Sequence, residues 1–532
     1  MQEKVIDTKI CRQCLNSFDI MDIDLDYLDK LSPIVAWQKF ELPVPTMCPD
    51  CRKIQRLAWR NEKNIFKRKC DKSGNDIIAI FPPNSPFKIY DEKIWNSDDW
   101  DPKDYGQDFD FNRWFFEQFE ELLLKVPLAS KASAFCENSD YCNACTAIKN
   151  CYLAFSANAS EDTLYSVDIV RVKSCTDCFG IIDSENCYEC IVASGCYNVE
   201  HSYDVKNCSD SRFLLTCDWC SDCYWCFNLT NAQFHIYNIW YTKEEYFEAL
   251  KNLISLSISD QKNQFEAFYN GKYVKLPLPN IGSERVLDSE NVINSQNVSY
   301  SRHVRGSQDV RYCQKMQVPT VNLAMDYTWF GNNATNIYYS QQVWNNASNI
   351  LFSVGVFNEV SNILYSSYCN YSVNDCFGCI GIRNSAYCIL NKQYTKEEYE
   401  ILVPKIIEHM KKTGEWWEFF PSKLSPHCYD NSVCQIIKPL TENEAVSQWF
   451  NWSGYKSPFP KVEKVIKASQ LPDDISKIPD DILNWAIECE TSWKPFRIVK
   501  PELEFYRRHK LPIPKKHQDQ RYLERLKWFF NY

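Results

Sequence analysis

The stretch SCTDCFGIIDSENCYEC, from Ser174 to Cys190, decides the fold because it carries a repeat of twelve residues. Asn, Asp or Ser recurs at this spacing over eight positions, and Cys, Ser or Ala usually follows four residues later. The eight positions are Asn138, Asn150, Asp162, Ser174, Asn186, Asn198, Asp210 and Asp222. Short β-prone runs separated by such turns are typical of a β-solenoid, and a stack of β-hairpins or small zinc modules is the alternative.

The length of one coil follows from the size of the side chains. A coil of only twelve residues has almost no interior, and the repeats also contain Tyr, Phe and Leu. We therefore expect two repeats per coil, with Asn and Asp at stacked turns and Cys and Ser in internal ladders. Positions 24 apart, such as Asn138 and Asp162 or Cys175 and Val199, are then stacked neighbours.

A second block continues the pattern with a period near 13, from Asn297 to Asp375. Its end, DCFGCIGIRNSAYCILNKQYTKEEY from Asp375, aligns without gaps with DCYWCFNLTNAQFHIYNIWYTKEEY from Asp222. Each run then enters a helical stretch with Thr as N-cap and Glu three residues later. The sequence thus predicts an internal duplication in which each solenoid block is followed by a capping helix.

Four cysteines near the N-terminus have the spacing of metal ligands. Cys11-x2-Cys14 and Cys48-x2-Cys51 form two knuckles, and four thiolates on two such turns suit a tetrahedral structural Zn²⁺ site. A redox dithiol and a metal-free module are the alternatives. The CxxC pairs within the repeats either pack inside the solenoid or hold further metal ions.

A basic stretch follows the second knuckle. Between Asp50 and Lys72 the chain has nine basic and three acidic residues, and several recur at helical spacing. Such a face can contact phosphates, with Trp59 available for stacking, or it can be a solvated face that balances an acidic body. The candidate nucleic-acid contacts are Arg52, Lys53, Arg56, Arg60, Lys63, Lys67, Arg68 and Lys69.

The last forty residues repeat the ribbon in a degenerate form. Arg521 and Arg525 match Arg52 and Arg56 at one offset of 469 residues. The four metal positions become Cys489, Ser492, His517 and Gln520, so we expect no zinc in this copy. Residues 496–532 contain ten Lys/Arg against four Asp/Glu, which makes the chain basic at both ends.

Composition limits the class and the location of the protein. The 532 residues include 27 Cys but only 13 Gly, and no Gly-rich phosphate-binding motif is present. The N-terminus lacks an apolar signal core, and no run of roughly 18 apolar residues exists. We therefore expect a cytoplasmic protein without a membrane segment, in which thiols stay reduced. The net charge of −10 argues against a simple nucleic-acid binder.

The expected architecture is mainly β: a duplicated parallel β-solenoid with helical caps, an N-terminal zinc ribbon and a degenerate ribbon-like C-terminal module. Asp110 is expected to cap a helix, FNRWFFEQFEELLLK, that packs on the first coil, and Thr441 opens another helix. The predicted domains are the ribbon (1–75), an aromatic and acidic linker with a capping helix (76–130), the first block with its cap helix (131–255), a linker (256–289), the second block with its cap helix (290–410), a Pro-punctuated region (411–485) and the basic module (486–532).

Several strings of this chain resemble a known group of proteins. They are CPDCRKIQRLAWRNE, KRKCDKSG, WNSDDWDPKDYG, YTKEEY and FRIVKPELEFYRRHKLPIPKKHQDQR. Nearly the whole chain is similar to uncharacterised zinc-ribbon, Cys/Asn-repeat proteins of candidate-phyla bacteria. Some of those are labelled CaiB/BaiF-type CoA-transferases, a label that neither the composition nor the repeat of this chain supports. The resemblance implies the architecture above and no particular activity.

Three classes of function remain open. The first is a non-enzymatic binding or scaffold protein that docks RNA, a ribonucleoprotein or a protein partner. The second is an enzyme acting on a polymer such as a glycan, with Asp177, His201 and Trp225 as weak catalytic candidates on one face of consecutive coils. The third is metal storage or thiol redox chemistry. The sequence does not indicate the oligomeric state.

Overall fold

The computed structural model describes residues 3–274, 278–316, 320–459 and 461–530. Eleven α-helices lie in this part of the chain, and none of them is long and apolar enough to cross a membrane. They are α1 (Asp22–Leu31), α2 (Pro49–Leu57), α3 (Glu92–Trp95), α4 (Phe115–Lys125), α5 (Lys243–Ile254), α6 (Ile258–Tyr269), α7 (Lys396–Thr413), α8 (Cys434–Ile437), α9 (Glu442–Ser447), α10 (Lys500–His509) and α11 (Gln518–Phe530).

The strands fall into four groups along the chain. The N-terminal group is β1 (Val5–Ile10), β2 (Ser17–Met21), β3 (Ile34–Val35), β4 (Gln38–Lys39), β5 (Phe66–Lys69), β6 (Asp76–Ala79), β7 (Ile89–Tyr90) and β8 (Leu128–Ala129). The first block contains β9 (Ser133–Ala134), β10 (Cys145–Thr146), β11 (Phe155–Asn158), β12 (Val167–Val170), β13 (Phe179–Ile182), β14 (Ile191–Ser194), β15 (Tyr197–Glu200), β16 (Tyr203–Lys206), β17 (Ser209–Asp218), β18 (Ser221–Phe227), β19 (Gln233–Ile236) and β20 (Ile239–Trp240). The second block contains β21 (Glu284–Leu287), β22 (Glu290–Ile293), β23 (Gln296–Ser299), β24 (Arg302–Arg305), β25 (Gln308–Arg311), β26 (Gln314–Met316), β27 (Val321–Gly331), β28 (Ala334–Trp344), β29 (Ala347–Leu351), β30 (Val354–Phe357), β31 (Val360–Leu364), β32 (Val373–Phe377), β33 (Ala386–Ile389) and β34 (Lys392–Gln393). The C-terminal group is β35 (Lys464–Lys467), β36 (Trp485–Glu488) and β37 (Pro495–Phe496).

The chain divides into two compact units. Unit 1 comprises Met1–Ser130 and Leu276–Tyr455, and unit 2 comprises Lys131–Lys275 and Lys456–Tyr532. Unit 1 therefore joins the N-terminal ribbon to the second solenoid block, and unit 2 joins the first block to the C-terminal module. The stretch expected to be a linker, 256–289, contains helix α6 and the first strand of the second block.

The parallel β-solenoid is confirmed, but each coil is one repeat and not two. In the first block strand pairing is parallel with an offset of twelve residues: Phe155 pairs with Val167, Val167 with Phe179, and Phe179 with Ile191. Asn138 and Asp162 are therefore two coils apart, so the expected geometry of two repeats per coil is wrong.

A twelve-residue coil closes because every third side chain points inward, and in the first block these side chains are Cys, Ser, Thr, Ala or aliphatic. In one coil the four inward side chains are Cys217, Cys220, Cys223 and Cys226, and all four are buried. The aromatic residues of the first block lie outside its coils. Tyr188, for example, packs with its ring centroid 5.9 Å from that of Phe505 in α10. Tyr327 of the second block, by contrast, lies among inward side chains.

The inward Cys and Ser side chains form the predicted internal ladders. The Leu214 N–H donates to Ser202 Oγ at 3.0 Å, and that hydroxyl donates to the Glu200 carbonyl at 2.8 Å. A thiol makes the same contacts, since the Cys187 N–H donates to Cys175 Sγ at 3.2 Å. Cys and Ser alternate in these ladders because both satisfy a buried backbone N–H of the next coil.

The Asn and Asp positions form an outer ladder, as predicted, with neighbours twelve or thirteen residues apart. All eight repeat positions of the first block have a left-handed backbone conformation, which Asn and Asp tolerate better than most residues. In the second block the amides of Asn336, Asn349 and Asn362 each donate to the next residue of the ladder at 2.8 Å. This ladder ends at Asp375.

The period of 13 arises from one extra corner residue. Ala334 pairs with Ala347 and Ala347 with Val360, an offset of thirteen residues. In this part of the second block two successive residues, such as Asn345 and Asn346, have positive φ values where the first block has one. The inward positions stay in step because the insertion lies at the corner.

The two block ends match, as the duplication predicts. Each block finishes in an antiparallel hairpin, β19–β20 or β33–β34, followed by a helix that starts with a Thr and Glu capping box. Asn238 and Asn391 close the last coil in the same way, because each side chain bonds both the N–H and the C=O of one residue, Phe227 or Ile380.

Helix α4 differs from its prediction in its cap and in its packing partner. Asp110 forms a local turn with Asn112, while the N–H groups of Phe115 and Phe116 donate to the Glu415 carboxylate at 2.9 and 2.8 Å. The helix packs on the second block, with the Phe115 ring 5.3 Å from Tyr365. A carboxylate 300 residues away provides the cap, so no local pattern could predict it. The capping box at Thr441 is confirmed.

The internal ladder yields a first prediction. Ser202→Ala removes the acceptor of the buried Leu214 N–H, so we expect a loss of about 1–3 kcal/mol in the free energy of unfolding. Ser202→Cys keeps an acceptor of the kind present at Cys175 and should lose less. Urea unfolding measures both, with Ser194→Ala, which removes no hydrogen bond within the described chain, as the control. Equal stability of the Ala and Cys variants would contradict the role of the ladder.

Candidate metal centre and its arginine anchor

The four N-terminal cysteines converge as the spacing predicts. The sulfur atoms of Cys11, Cys14, Cys48 and Cys51 all lie within 4.8 Å of one another, and Cys14 Sγ is 3.8 Å from Cys48 Sγ. Four thiolates around one ion at about 2.3 Å would stand roughly 3.8 Å apart. The cluster is thus compatible with a metal ion. Cys11 is fully buried and the other three are half-buried.

Two local structures hold these thiols. Cys11 and Cys14 lie on the turn of the β1–β2 hairpin, which is closed by the Cys11 N–H on the Asn16 carbonyl at 2.9 Å. Cys48 is the N-cap of α2, and Cys51 lies in its first turn. The Arg12 N–H donates to the Thr46 carbonyl at 3.1 Å and so joins the two knuckles.

The cluster favours thiolate at Cys48. A hydrogen bond from the Cys51 thiol lowers the pKa of Cys48 to about 5, although burial acts in the opposite direction. The pKa of Cys51 is raised because its proton makes that hydrogen bond. Metal ions bind thiolates and displace the remaining protons, so this arrangement is ready to coordinate a soft or borderline cation.

The arginines expected to face nucleic acid are buried instead. Arg52, Arg56 and Arg60 are each at most 2% exposed. Arg52 Nε lies 2.7 Å and an Arg56 guanidinium nitrogen 3.0 Å from the carboxylate of Asp326, a corner residue of the second block that is itself fully buried. The expectation of phosphate contact is therefore wrong for these three arginines. Arg52 and Arg56 anchor the ribbon helix to the solenoid, and Arg60, beyond the end of that helix, lies 4.3 Å from the centroid of the Trp329 ring.

The other basic candidates are placed differently. Lys53 pairs with Asp50, Arg68 with Asp71 and Lys69 with Asp76, at 2.8 to 3.0 Å. Lys63 is partly exposed, and Lys67 is exposed. Trp59, expected to be available for stacking, is 1% exposed and packs against Phe419 and Phe420. The helical spacing of Arg52, Arg56 and Arg60 is the same for a buried and for an exposed basic face. Their burial could not be predicted from it because Asp326, the partner of Arg52 and Arg56, lies far away in the sequence.

The degenerate C-terminal copy repeats both the turn and the anchor in unit 2. The Glu490 N–H donates to the Lys515 carbonyl at 3.1 Å, as Arg12 does to Thr46. Arg521 and Arg525 bind the buried carboxylate of Asp177, the latter at 2.9 Å. His517 uses Nδ1 to accept the Asp519 N–H at the start of α11. Within the described residues, no metal-binding group forms around Cys489.

A third copy of the knuckle, which was not predicted from the sequence, lies at residues 66–95. The β5–β6 hairpin has the β1–β2 register, with Lys69 opposite Asp76 as Ile10 is opposite Ser17. The N–H groups of Ser73 and Asp91 donate to Cys70 Sγ at 3.5 and 3.3 Å. Ser73 and Asp91 thus occupy the places of Cys14 and Cys48. The Cys-x4-Asn spacing at Cys70–Asn75, which matches Cys11–Asn16, was the available signal.

The three catalytic candidates do not form the expected site. Asp177 is fully buried under Arg521 and Arg525, and Trp225 is fully buried against Tyr237. His201 does not meet Asp177, because its Nδ1 lies 2.7 Å from Glu189 Oε2. With two repeats per coil, Glu189 would lie on the row opposite His201, but one repeat makes one coil, and the two residues are neighbours. Asp177 is an anchor and not a general base.

Comparison of the chain with protein-family models, with curated proteins and with solved structures finds no match in any of the three.

The arginine anchor gives a second prediction. Asp326→Asn leaves two buried guanidinium groups without a counter-charge, and breaking a buried pair in this way costs about 3–5 kcal/mol. We expect the urea midpoint of unit 1 to fall accordingly. Asp309→Asn is the matched control, since Asp309 is also a corner residue but only accepts an amide from Asn297. An Asp326→Asn variant as stable as the control would rule out the anchor.

Proposed function

We propose that the protein is a non-enzymatic, zinc-containing β-solenoid scaffold that docks a macromolecular partner. The observation that carries this proposal is the anchoring of a small ribbon on stacked coils by the buried Asp326 and its two arginines. Such an anchor fixes the ribbon in place while its tips remain exposed. A rigid platform with exposed tips suits binding better than catalysis.

Zinc is the proposed metal of the Cys11, Cys14, Cys48 and Cys51 cluster. Four sulfur ligands in tetrahedral proximity favour Zn²⁺ over hard cations, and a closed set of four ligands is typical of structural sites. We place the protein in the cytoplasm, since all 27 cysteines are free and most are hydrogen-bonded or buried as thiols.

The third prediction concerns this zinc. Cys48→Ser removes one of four ligands, so we expect the purified variant to lose the bound zinc and its N-terminal module to unfold, because structural zinc supplies folding free energy. Elemental analysis measures the metal, and limited proteolysis measures the module. Cys70→Ser is the control, since Cys70 is not one of the four clustered cysteines. This variant should retain one zinc per chain. Undiminished zinc in Cys48→Ser would contradict the assignment.

A protein is the favoured partner, and the ribbon carries the proposed docking surface. Leu15 is 74% exposed at the tip of the first knuckle, and Trp37 is 95% exposed between β3 and β4. The degenerate module repeats the feature, because Trp493 takes the place of Leu15 and is 68% exposed. Large apolar side chains at rigid tips are typical anchors of protein interfaces. Trp37 and Trp493 both have positive φ values, which keeps them at the apex of tight turns.

RNA or a ribonucleoprotein is the other proposed partner. Of the candidate contacts, Arg52, Arg56 and Arg60 are buried, and Lys53, Arg68 and Lys69 have carboxylate partners. RNA would therefore have to engage Lys63 and Lys67, which are at least partly exposed. This charge pattern favours the protein partner over RNA.

The fourth prediction tests the partner class. The tagged full chain is cross-linked in the cells that produce it, and its cross-linked proteins are measured by quantitative mass spectrometry. We expect the double variant Leu15→Ser, Trp37→Ser to lose these protein cross-links. Ile401→Ser, at an exposed site on the cap helix α7, is the control and should keep those cross-links. If RNA cross-links dominate and Lys63→Gln with Lys67→Gln removes them, the partner is RNA. Unchanged cross-links in all variants would refute a docking role for the ribbon.

A further inference from the structure

Unit 2 contains a cavity of about 810 Å³ that the scaffold function does not use. Outward-facing residues of the first block form its floor, helix α6 forms one wall, and the C-terminal module forms another. Cavities of roughly 300–1,000 Å³ are the usual size of sites for small molecules. The walls are mainly apolar and aromatic, including Tyr188, Tyr203, Phe213, Phe265 and Tyr269.

A single carboxylate lies on the floor of this cavity. Glu189 Oε2 is 2.7 Å from His201 Nδ1 and 2.6 Å from Lys262 Nζ. Within the described part of the chain no hydrogen bond or ion pair involves Glu189 Oε1, and 22% of the Glu189 side chain is exposed. One oxygen is therefore fixed by two donors, while the other remains available as an acceptor in a side chain that lines the cavity.

The position of His201 keeps this carboxylate oriented. Its ring lies between Phe213, stacked at 4.9 Å, and Tyr188, edge-on at 5.2 Å. Burial, together with Lys262, lowers the pKa of His201 to about 4, so the imidazole is neutral and donates through Nδ1. Burial opposes the charge of Glu189, but Lys262 and His201 hold the pKa of this carboxyl well below its usual value. His201 is thus a positioning residue for an ionised Glu189.

The charges around the cavity indicate a ligand without net charge. Lys515 pairs with Asp473 at 2.8 Å, and Lys516 pairs with Glu524 at the same distance. Arg521 and Arg525 are committed to Asp177. Six cationic and five anionic side chains line the cavity, and most of the cations have carboxylate partners in this chain, so no concentrated positive charge marks a phosphate site. The acceptor that lies among the aromatic rings of the floor is Glu189.

We infer that this cavity binds a flat, uncharged nitrogen heterocycle of the nucleobase or nucleoside type, which donates an N–H to Glu189 Oε1 and stacks on the aromatic walls. Carboxylates accept ring and amino N–H groups of bases, and stacking on aromatic side chains accepts any flat ring. A nucleoside also fits the size of the cavity better than a base alone. This site is independent of the ribbon and of the proposed partner.

Equilibrium dialysis of the full chain tests the inference with guanosine, adenosine and cytidine, which carry N–H donors, and with caffeine, a flat purine that has none. We expect saturable binding of at least one nucleoside and weaker binding of caffeine.

Glu189→Gln replaces a charged acceptor by a neutral one and should weaken binding about five- to tenfold. Ser259→Trp places an indole in the cavity without breaking an ion pair and should abolish binding. Glu248→Gln, on helix α5 and outside the lining of the cavity, is the control with unchanged affinity.

Three results would overturn the inference. One is the absence of saturable binding for all three nucleosides up to millimolar concentration. Another is nucleoside binding that neither Glu189→Gln nor Ser259→Trp alters, while the urea midpoints of both variants show that they fold. The third is saturable binding of maltotriose without nucleoside binding, which would make the cavity a glycan site.

Discussion

A coil of twelve residues has room for four inward side chains, and this limit on volume determines much of the composition of the chain. The inward residues of the first block are Cys, Ser, Thr, Ala or aliphatic, and a thiol or hydroxyl at such a position can also satisfy a backbone N–H of the next coil. Cys and Ser are small and make this bond, as Cys175 and Ser202 show. The 27 cysteines follow largely from this constraint. The low glycine content is compatible with it because Asn or Asp occupies seven of the eight left-handed repeat positions of the first block, and other residues besides Gly adopt this conformation elsewhere in the coils.

The same constraint sends large side chains outward, and this is why the solenoid can carry other modules. Outward residues such as Tyr188 and Asp177 become the packing surface for helices of unit 2, while Tyr365 and Asp326 do so in unit 1. An outward aspartate is exposed on a bare coil and buried once a helix covers it. A buried carboxylate then requires cations, which the paired arginines of α2 and α11 supply.

Sequence periodicity predicted what depends on neighbours along the chain: the solenoid, its ladders, the capping boxes and the cysteine cluster. It did not predict contacts between distant segments. Arg52 and Asp326 are 274 residues apart, so the helical spacing of the arginines was equally typical of an exposed basic face. The pairing of Glu189 with His201 was missed for another reason, because an incorrect coil length placed the two residues on different faces.

Comparison of the three knuckles distinguishes the role of the four-cysteine cluster from the role of the surrounding fold. The turn at Cys489 keeps the hydrogen bonds of the Cys11 turn although three of the four cysteine positions hold other residues, and α11 keeps both arginines on Asp177. Attachment of such a module to a solenoid therefore does not require four cysteines. In the N-terminal ribbon the four cysteines lie in the two knuckles, and the tip of the first knuckle presents the exposed Leu15. The cysteine cluster thus joins the β1–β2 turn to the start of α2, while the arginine anchor joins α2 to the coils.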